Sequence, residues 1–233
     1  MKKGRFWLAV YPLTMLAVLI CAWWGSRVVS TLSENAPVSR ARCIIIDAGH
    51  GGEDGGATSC TGILESRYNL EMALRLEDLF HFLGYETRMI RREDISVYTK
   101  GETIAQKKVS DLKERLRIAN ETPNGMYLSI HQNYFSDSRY HGAQVFYPDT
   151  ESSRELAELL QWALCTGLDP NNHRKAKKSS GVYLMERIPC TGLLIECGFL
   201  SNPREEAKLR DPAYQQKLCA VIAATVAGFL SNT

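Results

Sequence analysis

At 233 residues, 45% of them hydrophobic, the chain has apolar material for one well-cored domain plus an appendage, but not for two domains of ordinary size. A formal net charge of +2 excludes a globally basic nucleic-acid binder, so no nucleic acid is expected as partner. Seven cysteines without a C-x-x-C pair exclude metal knuckles and thioredoxin-type chemistry, while leaving room for one disulfide of open pairing.

The first element is FWLAVYPLTMLAVLICAWW, residues 6–24, which carries no charged side chain. A helix of that length, rising about 1.5 Å per residue, spans the hydrocarbon core of a bilayer. Lys2, Lys3 and Arg5 precede it, which keeps the N-terminus in the cytoplasm and exports the chain beyond residue 24. Residues 1–24 therefore read as a membrane anchor or signal segment, placing the remainder outside the cytoplasm. Nothing after Trp24 makes a good Ala-x-Ala cleavage site, which favours the anchor. Residues 25–41 are small, polar and aperiodic, as a linker is, and residues 42–233 form the domain.

From Cys43 onward strand-like and helix-like segments alternate. Strands are expected at 43–48, 85–91, 126–131, 142–148, 181–186 and 192–198. Helices are expected at 65–83, 110–120, 152–165 and 212–230. In the first helix Tyr68, Met72, Leu76, Leu79 and Leu83 recur at three- and four-residue steps, and Gly84 is the stop signal. The alternation predicts an α/β domain with a largely parallel sheet covered by helices on both faces. The basic run HRKAKKSS at 173–180 reads as a solvated loop, or else as a contact for an anionic surface.

Three of the strands end in groups that bind metal or move protons: His50 after IIIDAG, His131 after YLSI, and Glu196 in LLIEC. Active sites of open parallel sheets lie beyond the carboxyl ends of the strands, so these three are expected to converge. Glu65, at the start of the first helix, enters from the same edge. His, Glu and His suit a catalytic zinc with one position left open, and Glu196 then remains as general base. Glu53 and Asp54, close behind His50, compete as carboxylates, although Asp54 is better suited to fixing the glycine loop. A lone strand-end histidine is more often a turn or core residue than a ligand. A carboxylate on a buried strand is harder to explain without a function. His81 and His173 read as surface residues, His141 as a turn residue, and Cys197 as pointing to the face opposite Glu196.

Taken in order, IIIDAGHGGEDGGA (44–57), LESRYNLEMALRLEDLF (64–80), RIAN (117–120), YLSIHQN (127–133) and LLIECGFLSNPREEAKL (193–209) resemble the zinc-dependent N-acetylmuramoyl-L-alanine amidases of the type-3 family. The resemblance implies a three-layer α/β sandwich around a mixed, mostly parallel six-stranded sheet. It implies one zinc ion per chain on His50, Glu65 and His131, with Glu196 catalytic. The choice of Glu65 over Asp54 rests on the family. The substrate it implies is peptidoglycan, cut at the amide between N-acetylmuramic acid and L-alanine.

Ala48 stands where the family usually has Pro, Gln132 and Asn133 stand where it has Ala and Asn, and 93–112 is longer than usual. A short anchored chain without wall-binding repeats is most similar to the germination-specific enzymes of spore-forming bacteria, which prepare muramic δ-lactam in the spore cortex. It also leaves room for an activating exported partner protein. The rival readings are a general cell-wall amidase of growth and division, a silent wall- or partner-binding domain, a zinc peptidase and a phosphate loop. The phosphate loop fails for want of a Lys-Ser/Thr pair after the glycines.

Overall fold

The computed structural model describes residues 43–232, so the expected anchor, its cleavage and the linker lie outside the described residues. Among the described residues no helix is long and apolar enough to cross a membrane.

Six strands form one mixed sheet: β1 (Ile44–Ala48), β2 (Thr87–Met89), β3 (Met126–Asn133), β4 (Gln144–Tyr147), β5 (Lys177–Lys178) and β6 (Gly192–Phe199), in the spatial order β2-β1-β3-β6-β4-β5. Strands β2, β1, β3 and β6 run parallel, whereas β4 is antiparallel to β6 and parallel to β5. The helices are α1 (Glu65–Phe82), α2 (Ile104–Asn120), α3 (Glu151–Leu168), α4 (Pro203–Arg210) and α5 (Pro212–Ser231).

Alternation along the central strands divides the core in two. Ile44, Ile46, Ala48, Leu128, Ile130, Leu193 and Ile195 pack with Met72 and Leu76 of α1, Leu156 and Leu160 of α3, and Ile222 and Val226 of α5. Ile45, Tyr127 and Leu194 face the other way, against Leu112, Leu116 and Ala119 of α2 and against Leu184 and Met185. Cys197 belongs to the first cluster, opposite Glu196 as expected. The six described cysteines are all free thiols, so the open disulfide is not formed among them.

The expected strand at 181–186 is instead a coiled turn. Glu186 N–H donates to the Val182 carbonyl and Ile188 N–H to that of Leu184, which are helical spacings. Consecutive Leu184 and Met185 are both buried, whereas a strand would send them to opposite faces. The sixth strand comes from the basic run, where Lys177 and Lys178 pair with Phe146 and Tyr147 at the sheet edge. Two exposed lysines on a two-residue edge strand discourage further pairing. Helix α2 starts six residues earlier than expected, because Thr103 and Gln106 close a capping box. Helix α4 was not expected; Asn202 caps it and Pro203 opens it.

Candidate functional site

The carboxyl ends of β1, β3 and β6 meet at one edge, and the loop after β1 turns sharply there. His50 sits in that loop at φ 61, a conformation that non-glycine residues adopt rarely. It is held there by its neighbours. Arg115 of α2 donates through Nη2 to the His50 carbonyl (2.8 Å) and through Nη1 to that of Ala48 (3.0 Å). Arg91 donates to the carbonyls of Ala48 (2.9 Å), Gly49 (3.0 Å) and Ser66 (2.9 Å). Two buried guanidiniums thus absorb the outward-turned carbonyls of residues 48–50. Arg115 also pairs with the buried Asp47, which accepts from Tyr127 Oη (2.8 Å) and Ser129 Oγ (2.8 Å). Burial pushes the Asp47 carboxyl up, but Arg115, His131 and the hydrogen bonds from Ser129 and Tyr127 together outweigh it and hold the group below its ordinary value.

His50, Glu65 and His131 come together, their ligand atoms all within 4.8 Å of one another. His50 Nε2 lies 3.3 Å from Glu65 Oε2, and His131 Nδ1 lies 2.9 Å from Glu65 Oε1. The two imidazoles meet edge to face at 5.0 Å. Bonds of about 2.0–2.2 Å to a tetrahedral ion spread its ligand atoms about 3.4 Å apart, so this donor set fits zinc with little movement. Glu53 and Asp54 do not join the cluster. Glu53 pairs with Lys107 (2.7 Å) on the exposed side, while Asp54 Oδ2 meets His50 Nδ1 at 3.0 Å. Asp54 therefore fixes the ring as well as the loop, leaving Nε2 for a metal, as outer carboxylates do at histidine ligands.

Close approach explains two of the glycines. A Cβ on Gly49 would lie 2.3 Å from the His131 ring, and one on Gly56 would lie 2.6 Å from Glu65 Oε2. His141 faces Asp169 (3.6 Å) and His81 bonds Thr87, so neither enters the cluster, and His173 is exposed.

Glu196 is the β6 partner of His131 in the parallel register, so both side chains project to the same face. Its Oε2 is shut off from solvent and has no hydrogen-bond partner among the described residues. Burial raises its carboxyl to about 7, against the pull of His131. A carboxyl with one unsatisfied oxygen beside three side chains able to hold a metal is suited to shuttling a proton.

The N-acetylmuramoyl-L-alanine amidase pattern matches residues 44–227. The chain belongs to this family of amidases. Over 224 residues it is 34% identical to the germination-specific N-acetylmuramoyl-L-alanine amidase of Bacillus subtilis, covering 95% of this chain and 93% of the relative. It is 28% identical to the N-acetylmuramoyl-L-alanine amidase LytC of the same organism over 182 residues, 77% of this chain and 34% of LytC. The structure of the CwlD amidase from Clostridioides difficile in complex with the GerS lipoprotein superimposes with a TM-score of 0.79 at 37% identity, over 82% of this chain and all (100%) of that one. The chain is thus an N-acetylmuramoyl-L-alanine amidase, with a mixed six-stranded α/β fold shared with its relatives.

Glu65 links the two histidines of the amidase's cluster. Burial opposes a charged His50, but hydrogen bonds to Asp54 and Glu65 outweigh it and raise the ring to about 9. Burial likewise opposes ionised Glu65, and the hydrogen bonds from His131 and His50 reverse that and hold it well below the usual carboxylate range. A metal needs the neutral imidazole, so His50 could ligate through Nε2 only after losing a proton. Apparent zinc affinity is expected to rise about tenfold per pH unit below the His50 value and to level off above it, one proton being released per ion bound. Chelator competition across pH 6.5–9.5 measures the slope; a flat profile would contradict the assignment of His50.

Proposed function

We propose that this amidase hydrolyses its substrate amide with one zinc ion held by His50, Glu65 and His131 and with Glu196 as general base. The observation that carries this is the unpartnered Glu196 Oε2, aligned with His131 and beside the cluster of three donors. Bound there, zinc supplies a Lewis acid for the amide carbonyl and eases the ionisation of water at neutral pH. Glu196 takes the proton of the attacking water and passes it to the departing L-alanine nitrogen. A carboxyl near neutrality serves both halves of that transfer. Asp54 keeps the His50 ring in register, and Arg115 and Arg91 keep the loop turned inward.

Domain 42–233 is the catalytic unit on this reading, exported and tethered through residues 6–24, with 25–41 as the tether. The biological setting we infer is maturation of spore-cortex peptidoglycan toward the muramic δ-lactam needed for germination. The germination-specific relative, similar over nearly the whole of both chains, supports that role. The C. difficile relative in complex with a lipoprotein supports an exported partner protein, to which we assign an activating role.

The test is product analysis by mass spectrometry on purified peptidoglycan. Peptides beginning with free L-alanine are expected, abolished by chelator and restored by zinc; a cut within the peptide or the glycan would overturn the mechanism. Spores lacking the enzyme should contain cortex without δ-lactam, and normal δ-lactam would remove the cortex role.

A further inference from the structure

The register between β3 and β6 shifts just beyond the site. His131 pairs with Glu196, but Asn133 pairs with Phe199, so β6 carries one extra residue between them. Cys197 and Leu200 both lie in the core against α1, α3 and α5, three residues apart rather than an even number. The bulge therefore turns Phe199 onto the face that Glu196 occupies, one step further along the strand. Over Phe199 lies Arg174, its guanidinium carbon 4.6 Å from that ring and 5.9 Å from the ring of Tyr140.

Arg174 is held from behind. Its Nε donates to the His141 carbonyl (2.7 Å) and its Nη1 to Gln144 Oε1 (3.0 Å). Gln144 is the β4 residue paired with Glu196, so its side chain, and the guanidinium bound to it, lie on the face of the sheet that Glu196 occupies. Lys107, Lys108 and Arg139 each have a carboxylate, in Glu53, Asp54 and Asp137. Asp169 and Glu205 do not neutralise Arg174: Asp169 faces His141, and Glu205 accepts from the amides of Gly142 and Phe199. Arg174 has no carboxylate partner among the described residues, and its Nη2 makes no hydrogen bond there. A half-buried guanidinium that is oriented, stacked and unneutralised is a prepared receptor for a carboxylate.

The substrate offers one close to the bond that breaks. In the stem peptide the residue after L-alanine is a glutamate joined through its side chain, which leaves its α-carboxylate one residue from the amide that breaks. Resting on Glu196 as the general base, we propose that Arg174 binds this α-carboxylate and thereby selects stems in which it is free over stems in which it is amidated. The basic run 173–180, otherwise a solvated strand edge, thus contributes one residue to the substrate cleft.

The test crosses two enzymes with two substrates: parent and Arg174→Gln, on glycan strands carrying L-alanyl-glutamate stems or the same stems as the α-amide. The parent should favour the acid by about tenfold or more in kcat/KM. Arg174→Gln should lose that preference by losing activity on the acid alone, mostly through KM, and Arg174→Lys should recover part of it. Equal use of both stems by the parent, or equal losses on both stems in Arg174→Gln at unchanged melting temperature, would overturn the proposal. If Arg174→Gln melts lower, Arg174→Lys carries the comparison alone, and an acid-to-amide ratio equal to the parent's would overturn it. The same pair of ligands titrated calorimetrically into Glu196→Gln reads discrimination without turnover. That separates a wrong role for Arg174 (no discrimination in binding) from a wrong general base (turnover persisting in Glu196→Gln).

Discussion

Glu196→Gln is expected to retain zinc and fold while losing about 10²–10⁴ in kcat, the range that a positioned general base supplies. The amide has the shape of the carboxyl but cannot take a proton from water, so only the transfer step is removed. Folding should not suffer. Burial raises the folded-state value of this acid to about 7, above its unfolded value, so the ionised form disfavours the fold increasingly as pH rises between the two. Glutamine removes that penalty, and the variant should be at least as stable as the parent above neutrality. His50→Ala is the contrast, since it removes a ligand and should lose zinc and hydrolysis together. Zinc content, melting temperature and rate of peptide release separate the two. Near-parental kcat in Glu196→Gln would refute the mechanism, and loss of zinc from that variant would make Glu196 a ligand.

The helices with long apolar periodicity were legible in the sequence because one stripe of each packs on the sheet. Tyr68, Met72 and Leu76 are buried as their spacing required, although Leu83, past the end of α1, is largely exposed. Strands β1 and β6 were legible because they are covered on both faces and so carry short all-apolar runs, III and LLI, and β3 because Tyr127, Leu128 and Ile130 make it largely apolar. The segment at 181–186 misled for the same reason: an apolar run describes burial, and a buried turn meets that requirement as well as a strand does. Strand β5 carried no signal, since two lysines at a sheet edge pair through their backbone and leave their side chains in water.

His50, His131 and Glu196 could be placed from sequence because parallel strands deliver their carboxyl ends to one edge, whereas the choice of Glu65 over Asp54 rested on the family resemblance. Their surroundings could not. Arg91 and Arg115 act on backbone carbonyls, and a carbonyl leaves no mark in the residue pattern. The RIAN motif begins at Arg117, which forms exposed pairs with Glu114 and Glu121, while the buried Arg115 lies two residues earlier. The pairing of Asp54 with His50 had a legible cue in the four-residue spacing across the loop, but its role on the ring required the fold.

Arg115→Ala is expected to cost about 3–5 kcal/mol of stability, the usual consequence of removing one partner from a buried ion pair. Asp47 would keep two hydroxyl donors, from Tyr127 and Ser129, but lose the cation that holds it ionised in the core. The carbonyls of Ala48 and His50 would lose donors in the same step, and His50 would lose part of what holds it at positive φ. The effect should therefore reach the metal. Zinc affinity should fall by about 10–100-fold, as when an outer partner of a ligand is removed, because the ring no longer presents Nε2 toward Glu65 and His131. Arg115→Lys distinguishes the two consequences. One ammonium can neutralise Asp47, but it cannot also reach two carbonyls in a fixed fork, so stability should recover more than zinc affinity does. Denaturant unfolding and chelator competition on the two variants measure this. If zinc affinity recovered in parallel with stability, Arg115 would serve the fold alone; if it lagged, the guanidinium also sets the geometry of His50.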